Sequence, residues 1–99
     1  MRVRNVEGNS GPVANQFIME EEGRGALGNF TLRQTFQSYK SVIATITEWP
    51  DGRRDVVLDE GTWDYSMTTG RYRNQFLGED KKATEKKIKS GEYKLANLN

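Results

Sequence analysis

Apolar and polar residues alternate along much of the first two-thirds of the chain. From Asn15, QFIMEEE sets Phe17 and Met19 on one side and Gln16, Ile18 and Glu20 on the other, the two-residue period of a strand. GRGALGN (23–29) is punctuated by glycines, which predicts a hairpin loop. FTLRQTF then places Phe30, Leu32 and Phe36 inward and Thr31, Arg33 and Thr35 outward, with Gln34 interrupting the inner face. QSYK (37–40) makes the next turn, and SVIATITE is a β-branched strand carrying Val42, Ala44 and Ile46 on one side. WPDGR (49–53) joins Pro to Asp-Gly, a strong turn signal. DVVLD after it reads as a short buried strand without alternation.

After Gly61 the period changes. Ser66, Thr68 or Thr69 can cap a helix in which Tyr72 and Phe76 lie one turn apart, and Gly78 is a natural stop. Thr84 is expected to cap a second, short helix ending at Ser90 before Gly91. Tyr93, Leu95 and Leu98 are expected to fasten the terminus to the sheet. These elements predict an α+β fold in one domain over 1–99: an antiparallel meander of about four strands with one or two C-terminal helices on one face. The turn-forming GNSGP predicts fraying through about Gly11.

Composition narrows the chemistry. The chain of 99 residues has no histidine and no cysteine, which removes the commonest general base, the thiolate nucleophile and the usual zinc ligands. No disulfide framework can form, and a cytoplasmic setting is expected. MRVRNVEGNSG has no apolar h-region and no apolar run approaches the roughly 20 residues of a membrane span. GRGALG matches a dinucleotide fingerprint in letters only, because a strand rather than a helix is expected after it. Asp55, Asp59, Glu60 and Asp64 cluster around the fourth strand, and EEE (20–22) lies on the first. Nothing in their spacing builds a metal or acid–base site, so no metal, no cofactor and no catalysis are expected. The sequon Asn29-Phe30-Thr31 has no secretory context.

Charge is unevenly spread. Residues 70–99 hold 8 Lys/Arg against 4 Asp/Glu, whereas residues 1–69 hold 7 against 10. A basic tail against an acidic body can steer a partner. The stretch WDYSMTTGRYRNQFLG (63–78) concentrates the candidate contacts. Its rings Trp63, Tyr65, Tyr72 and Phe76 are expected to be largely core. Arg71 and Arg73 flank Tyr72 about 100° to either side on a helix, and both are expected to face a partner. Lys40, Thr68, Thr69, Arg71, Tyr72, Arg73 and Asn74 form the predicted binding set, since hydroxyls and N–H groups at a helix start suit an anion and arginine beside rings suits an interface.

GNSGPVANQFIM (8–19), FQSYKSVIA (36–44), WDYSMTTGRYRNQFLGE (63–79) and TEKKIKSGEYKLANLN (84–99) resemble a family of small phage-encoded proteins of unknown function. The resemblance spans most of the chain, leaving out the 20–29 loop and the 47–55 turn. Met67 departs from the polar or basic residue expected there. The resemblance implies no catalytic residue. It implies a stoichiometric binder in the host cytoplasm, such as an anti-CRISPR or another anti-defence inhibitor acting on a host protein or ribonucleoprotein. The residues leave open a nucleic-acid-binding accessory protein and a small-ligand (nucleotide) sequestering protein, and a homodimer is compatible with the sequence.

Overall fold

The computed structural model describes residues 1–23 and 31–99. Six strands form one sheet in chain order: β1 (Arg2–Gly8), β2 (Gly11–Glu22), β3 (Leu32–Ser38), β4 (Ser41–Glu48), β5 (Arg54–Asp59) and β6 (Lys94–Ala96). Two helices, α1 (Met67–Leu77) and α2 (Lys81–Ser90), lie between β5 and β6. The α+β class is as the sequence predicts, but the sheet has six strands rather than about four.

The first additional strand is β1, in the segment expected to fray. It pairs antiparallel with β2, Val3 opposite Met19 and Arg4 opposite Ile18. Its Val6 is buried against Ile18, Phe36 and Ile43, and this burial offsets the entropy of ordering the segment. The other is β6, which runs parallel to β5 with Leu58 opposite Leu95. Parallel neighbours need a crossover, and α1 and α2 supply it.

Short turns join β3 to β4 and β4 to β5, as expected. Gly52 closes the Pro-Asp-Gly turn at φ 90° with its N–H on the Trp49 carbonyl at 2.9 Å, a conformation that costs glycine little. Residues 24–30, which include the rest of the glycine-rich loop after Gly23, Phe30 and the sequon asparagine, lie outside the described residues, but Glu22 and Leu32 on either side are paired.

Register explains which side chains reach the core. Between Phe36 and Gln37 the pairing of β3 with β4 shifts, leaving Ile43 as the extra residue. This bulge turns both Ile43 and Ala44 into the core, whereas Val42, expected to be inward, is half-buried. In β5 the side chains alternate after all: Val56 and Leu58 are buried and Val57 is not.

The helices cover one face. Ala44, Ile46, Val56 and Leu58 pack with Leu77, Tyr93 and half-buried Trp63, Phe76 and Ile88. Phe76 also joins Tyr72 on the neighbouring cluster around Phe36, the two phenylalanine rings lying 5.8 Å apart.

Helix α2 begins earlier than predicted. Asp80 is its cap, accepting from the Ala83 N–H at 2.8 Å. Thr84 instead lies inside the helix, fully buried, donating to Glu79 at 2.7 Å. The terminus is held by polar contacts more than by leucines: Leu95 is exposed, while the Leu98 N–H donates to Asp59 at 2.8 Å. Among the described residues, no helix is long and apolar enough to cross a membrane.

Candidate functional site: a groove beside the start of helix α1

Ser66 caps α1 through its hydroxyl, which accepts the Thr69 N–H at 3.1 Å. The helix ends at Gly78, in the left-handed region at φ 74° with its N–H on the Asn74 carbonyl. Along its core side, Thr69, Tyr72, Arg73, Phe76 and Leu77 form one stripe about 140° wide. Arg73 falls inside that stripe, and its side chain is 1% exposed. The expectation that it faces outward is therefore corrected.

A buried guanidinium needs acceptors. Arg73 donates from Nη1 to the Trp63 carbonyl at 2.6 Å and from Nη2 to Asn74 Oδ1 at 2.9 Å. Asp64 lies 3.4 Å from Nη1, and the Trp63 ring is 5.3 Å from the guanidinium carbon. Arg73 thereby pins the 63–66 turn onto α1. Its Nε has no hydrogen-bond acceptor.

Met67, Gly70, Arg71 and Asn74 follow the i, i+3, i+4, i+7 spacing of another helix face. With Asp64, Tyr65, Ser66, Arg73 and Lys81 they line an open groove of about 590 Å³. Tyr65 is 51% exposed and Met67 93% exposed, so Tyr65 is not the core ring the sequence predicted. Asp64 also accepts from Lys81 Nζ at 2.8 Å. That hydrogen bond, helped by the charges of Lys81 and Arg73, holds the Asp64 carboxyl below its ordinary range despite partial burial.

The predicted binding residues are only partly brought together. Arg71, Arg73 and Asn74 line the groove, Arg73 from beneath. Arg71 is exposed, its guanidinium 5.7 Å from the Tyr72 ring. Tyr72 is half-buried against the core. Thr69 is buried and bonded to Ser38 at 3.0 Å, tying α1 to the end of β3. Thr68 is exposed but is not among the lining residues, and neither is Lys40, exposed in the β3–β4 turn. Sequence reading missed Tyr65, Met67 and Lys81. The signal for Met67 was available, because it stands one helical turn before Arg71 on the face away from Tyr72.

The acidic residues are engaged locally. Buried Asp59 accepts from Gly61, Thr62 and Leu98, and Asp55 accepts from the Trp49 ring N–H at 2.8 Å. Among the described residues, no group of three or more acidic side chains is placed to hold a metal ion.

A family model described as a family of unknown function, DUF8033, matches residues 4–92. The chain belongs to that family. The match runs from within β1 to just past α2 and includes every residue that lines the groove. No curated protein and no solved structure matches the chain. Membership in DUF8033 thus supplies a family and no activity.

Proposed function

We propose that this DUF8033 protein works by stoichiometric binding and engages a protein partner through the groove beside α1. The observation that carries this reading is the exposure of Tyr65, on a turn that Arg73 holds from beneath, beside Met67 and Arg71 on α1. Tyrosine, methionine and arginine are enriched where protein surfaces meet, and this trio contributes little to the core. A rigid support also limits the ordering cost of association.

The phage resemblance gives the reading its biological form, an inhibitor of a host defence component such as a CRISPR effector, acting in the host cytoplasm without metal or cofactor. The absence of histidine and cysteine from the chain supports binding over catalysis. The test is affinity capture from host lysate with the parent chain and with Tyr65→Ala, Met67→Ala. A partner retained by the parent and lost by the double variant supports the reading. Equal retention by both overturns it.

A further inference from the structure

The charges around the groove bear on what it receives. Three cations, Arg71, Arg73 and Lys81, and one anion, Asp64, line it, and Lys81 also pairs with Glu85 at 3.9 Å. Asp64 is already engaged by both Lys81 and Arg73, so its charge is spent within the groove. Arg71 has no hydrogen bond or ion pair with any described residue; its guanidinium lies over the Tyr72 ring at 5.7 Å. The first turn of α1 carries no acidic side chain to offset the positive end of the helix. Beneath, the buried Arg73 keeps its Nε–H without an acceptor. Arg71 is therefore the uncommitted charge of the groove, next to the exposed Tyr65 and Met67 side chains.

We propose that the occupant is an acidic segment of a protein partner, with a carboxylate against Arg71 and an adjoining apolar side chain against Tyr65 and Met67. This rests on the reading of the groove as a partner surface. Arginine takes a carboxylate through paired N–H groups, a geometry that adds direction as well as attraction. Met67 favours a protein over a nucleic acid. It offers neither charge to a phosphate nor a ring to a base, and nucleic-acid surfaces depend on both. It does offer a polarizable, adaptable contact for an apolar side chain. Lys82, Lys86 and Lys89 are exposed along one side of the neighbouring α2 and add a positive field that draws an acidic segment in.

The test uses the full ¹⁵N-labelled chain and three probes: a short peptide alternating Asp and Leu, the same peptide with Asn for each Asp, and single-stranded oligo(dT). The Asp–Leu peptide should shift the amide signals of Met67, Gly70 and Arg71. Its affinity should fall at least about tenfold with the Asn peptide or in Arg71→Glu, as expected when a charge-assisted hydrogen bond is lost. Arg71→Glu should keep the parent melting temperature, separating lost binding from lost fold. Equal binding of both peptides at these amides overturns the acidic occupant but leaves the groove a partner surface. Tighter binding of oligo(dT) overturns it in favour of nucleic acid. Shifts elsewhere, or none, overturn both the occupant and the groove.

Discussion

Arg73 and Trp63 are joined twice: the guanidinium lies 5.3 Å from the centre of the indole ring and donates to the backbone carbonyl of the same residue at 2.6 Å. Helix α1 and the turn before it are therefore tied together. The turn carries Tyr65, so the exposed contacts depend on a residue that a partner does not reach.

This relationship makes Arg73 a stability residue. Arg73→Ala leaves the Trp63 carbonyl and Asp64 without their buried donor. Stranding that carbonyl costs about 1–3 kcal/mol and the cavity left by the side chain adds to it, while Asp64, a third exposed, keeps Lys81. In a domain of this size each 1 kcal/mol moves the melting temperature by roughly 4–8 °C, so a fall on the order of 15 °C is expected in thermal unfolding by circular dichroism. Arg73→Lys should recover little, because one ammonium cannot serve acceptors in two directions. An Arg73→Ala chain melting within a few degrees of the parent would place the side chain outside the structure's support.

The second half of the core is closed by Glu79. Its carboxylate accepts from Thr84 and Lys87 at 2.7 Å each and from the Tyr93 hydroxyl at 2.9 Å. Glu79→Ala strands the buried Tyr93 hydroxyl, at a cost of about 1–3 kcal/mol. The double change Glu79→Ala, Tyr93→Phe should recover part of it in urea unfolding, since both partners are then gone. No recovery would mean that the Tyr93 contact carries none of the cost.

Acid sensitivity follows from the same group and from Asp59. Burial pushes both carboxyls up, but the hydrogen bonds they receive outweigh it and hold them below their ordinary values. A carboxylate depressed in the folded state contributes stability that is complete above its unfolded value, 3.8 for Asp and 4.5 for Glu. That contribution is lost as pH falls through the folded values. Urea midpoints should be flat around neutrality and drop below about pH 4.5, with a shallower drop in Glu79→Ala. Equal slopes in parent and variant would remove Glu79 from the acid response.

Ser66 should matter to a lesser degree. Ser66→Ala removes the cap on the Thr69 N–H and should cost about 1 kcal/mol, read as a fall of several degrees in melting temperature. Ser66→Asp should keep most of that stability, since a carboxylate accepts the same N–H at the positive end of the helix. A chain unaffected by Ser66→Ala would show that α1 is held by packing alone.

The elements legible in the sequence were those whose signal is local. The Pro-Asp-Gly turn, the alternation in β2 to β4, the Ser66 cap and the Gly78 stop depend on neighbours a few residues apart. β1 was not legible, because RVRNVEG has one buried apolar side chain, Val6, and its order comes from pairing with β2. β6 escaped for the same reason: three residues that pair in parallel only once two helices have crossed over.

In the candidate site, treating Arg71 and Arg73 alike misleads. Both stand about 100° from Tyr72, but Arg73, four residues after Thr69 and four before Leu77, falls on the core stripe and Arg71 does not. Tyr65 is expected inside with the other rings, but the chain there turns between β5 and α1 and leaves it exposed.

The central claim is that partners meet the face of α1 carrying Met67 and Arg71, beside the turn that Arg73 fixes from the core side. Its most direct measurement is site-specific photo-crosslinking in host lysate, with benzoylphenylalanine at position 67 in one chain and at position 45 in another. Thr45 lies on the sheet face away from the helices, between Thr35 and Val57. The account predicts a covalent adduct from position 67, suppressed by Arg71→Glu, and none from position 45. An adduct from position 45 with none from position 67 would contradict it.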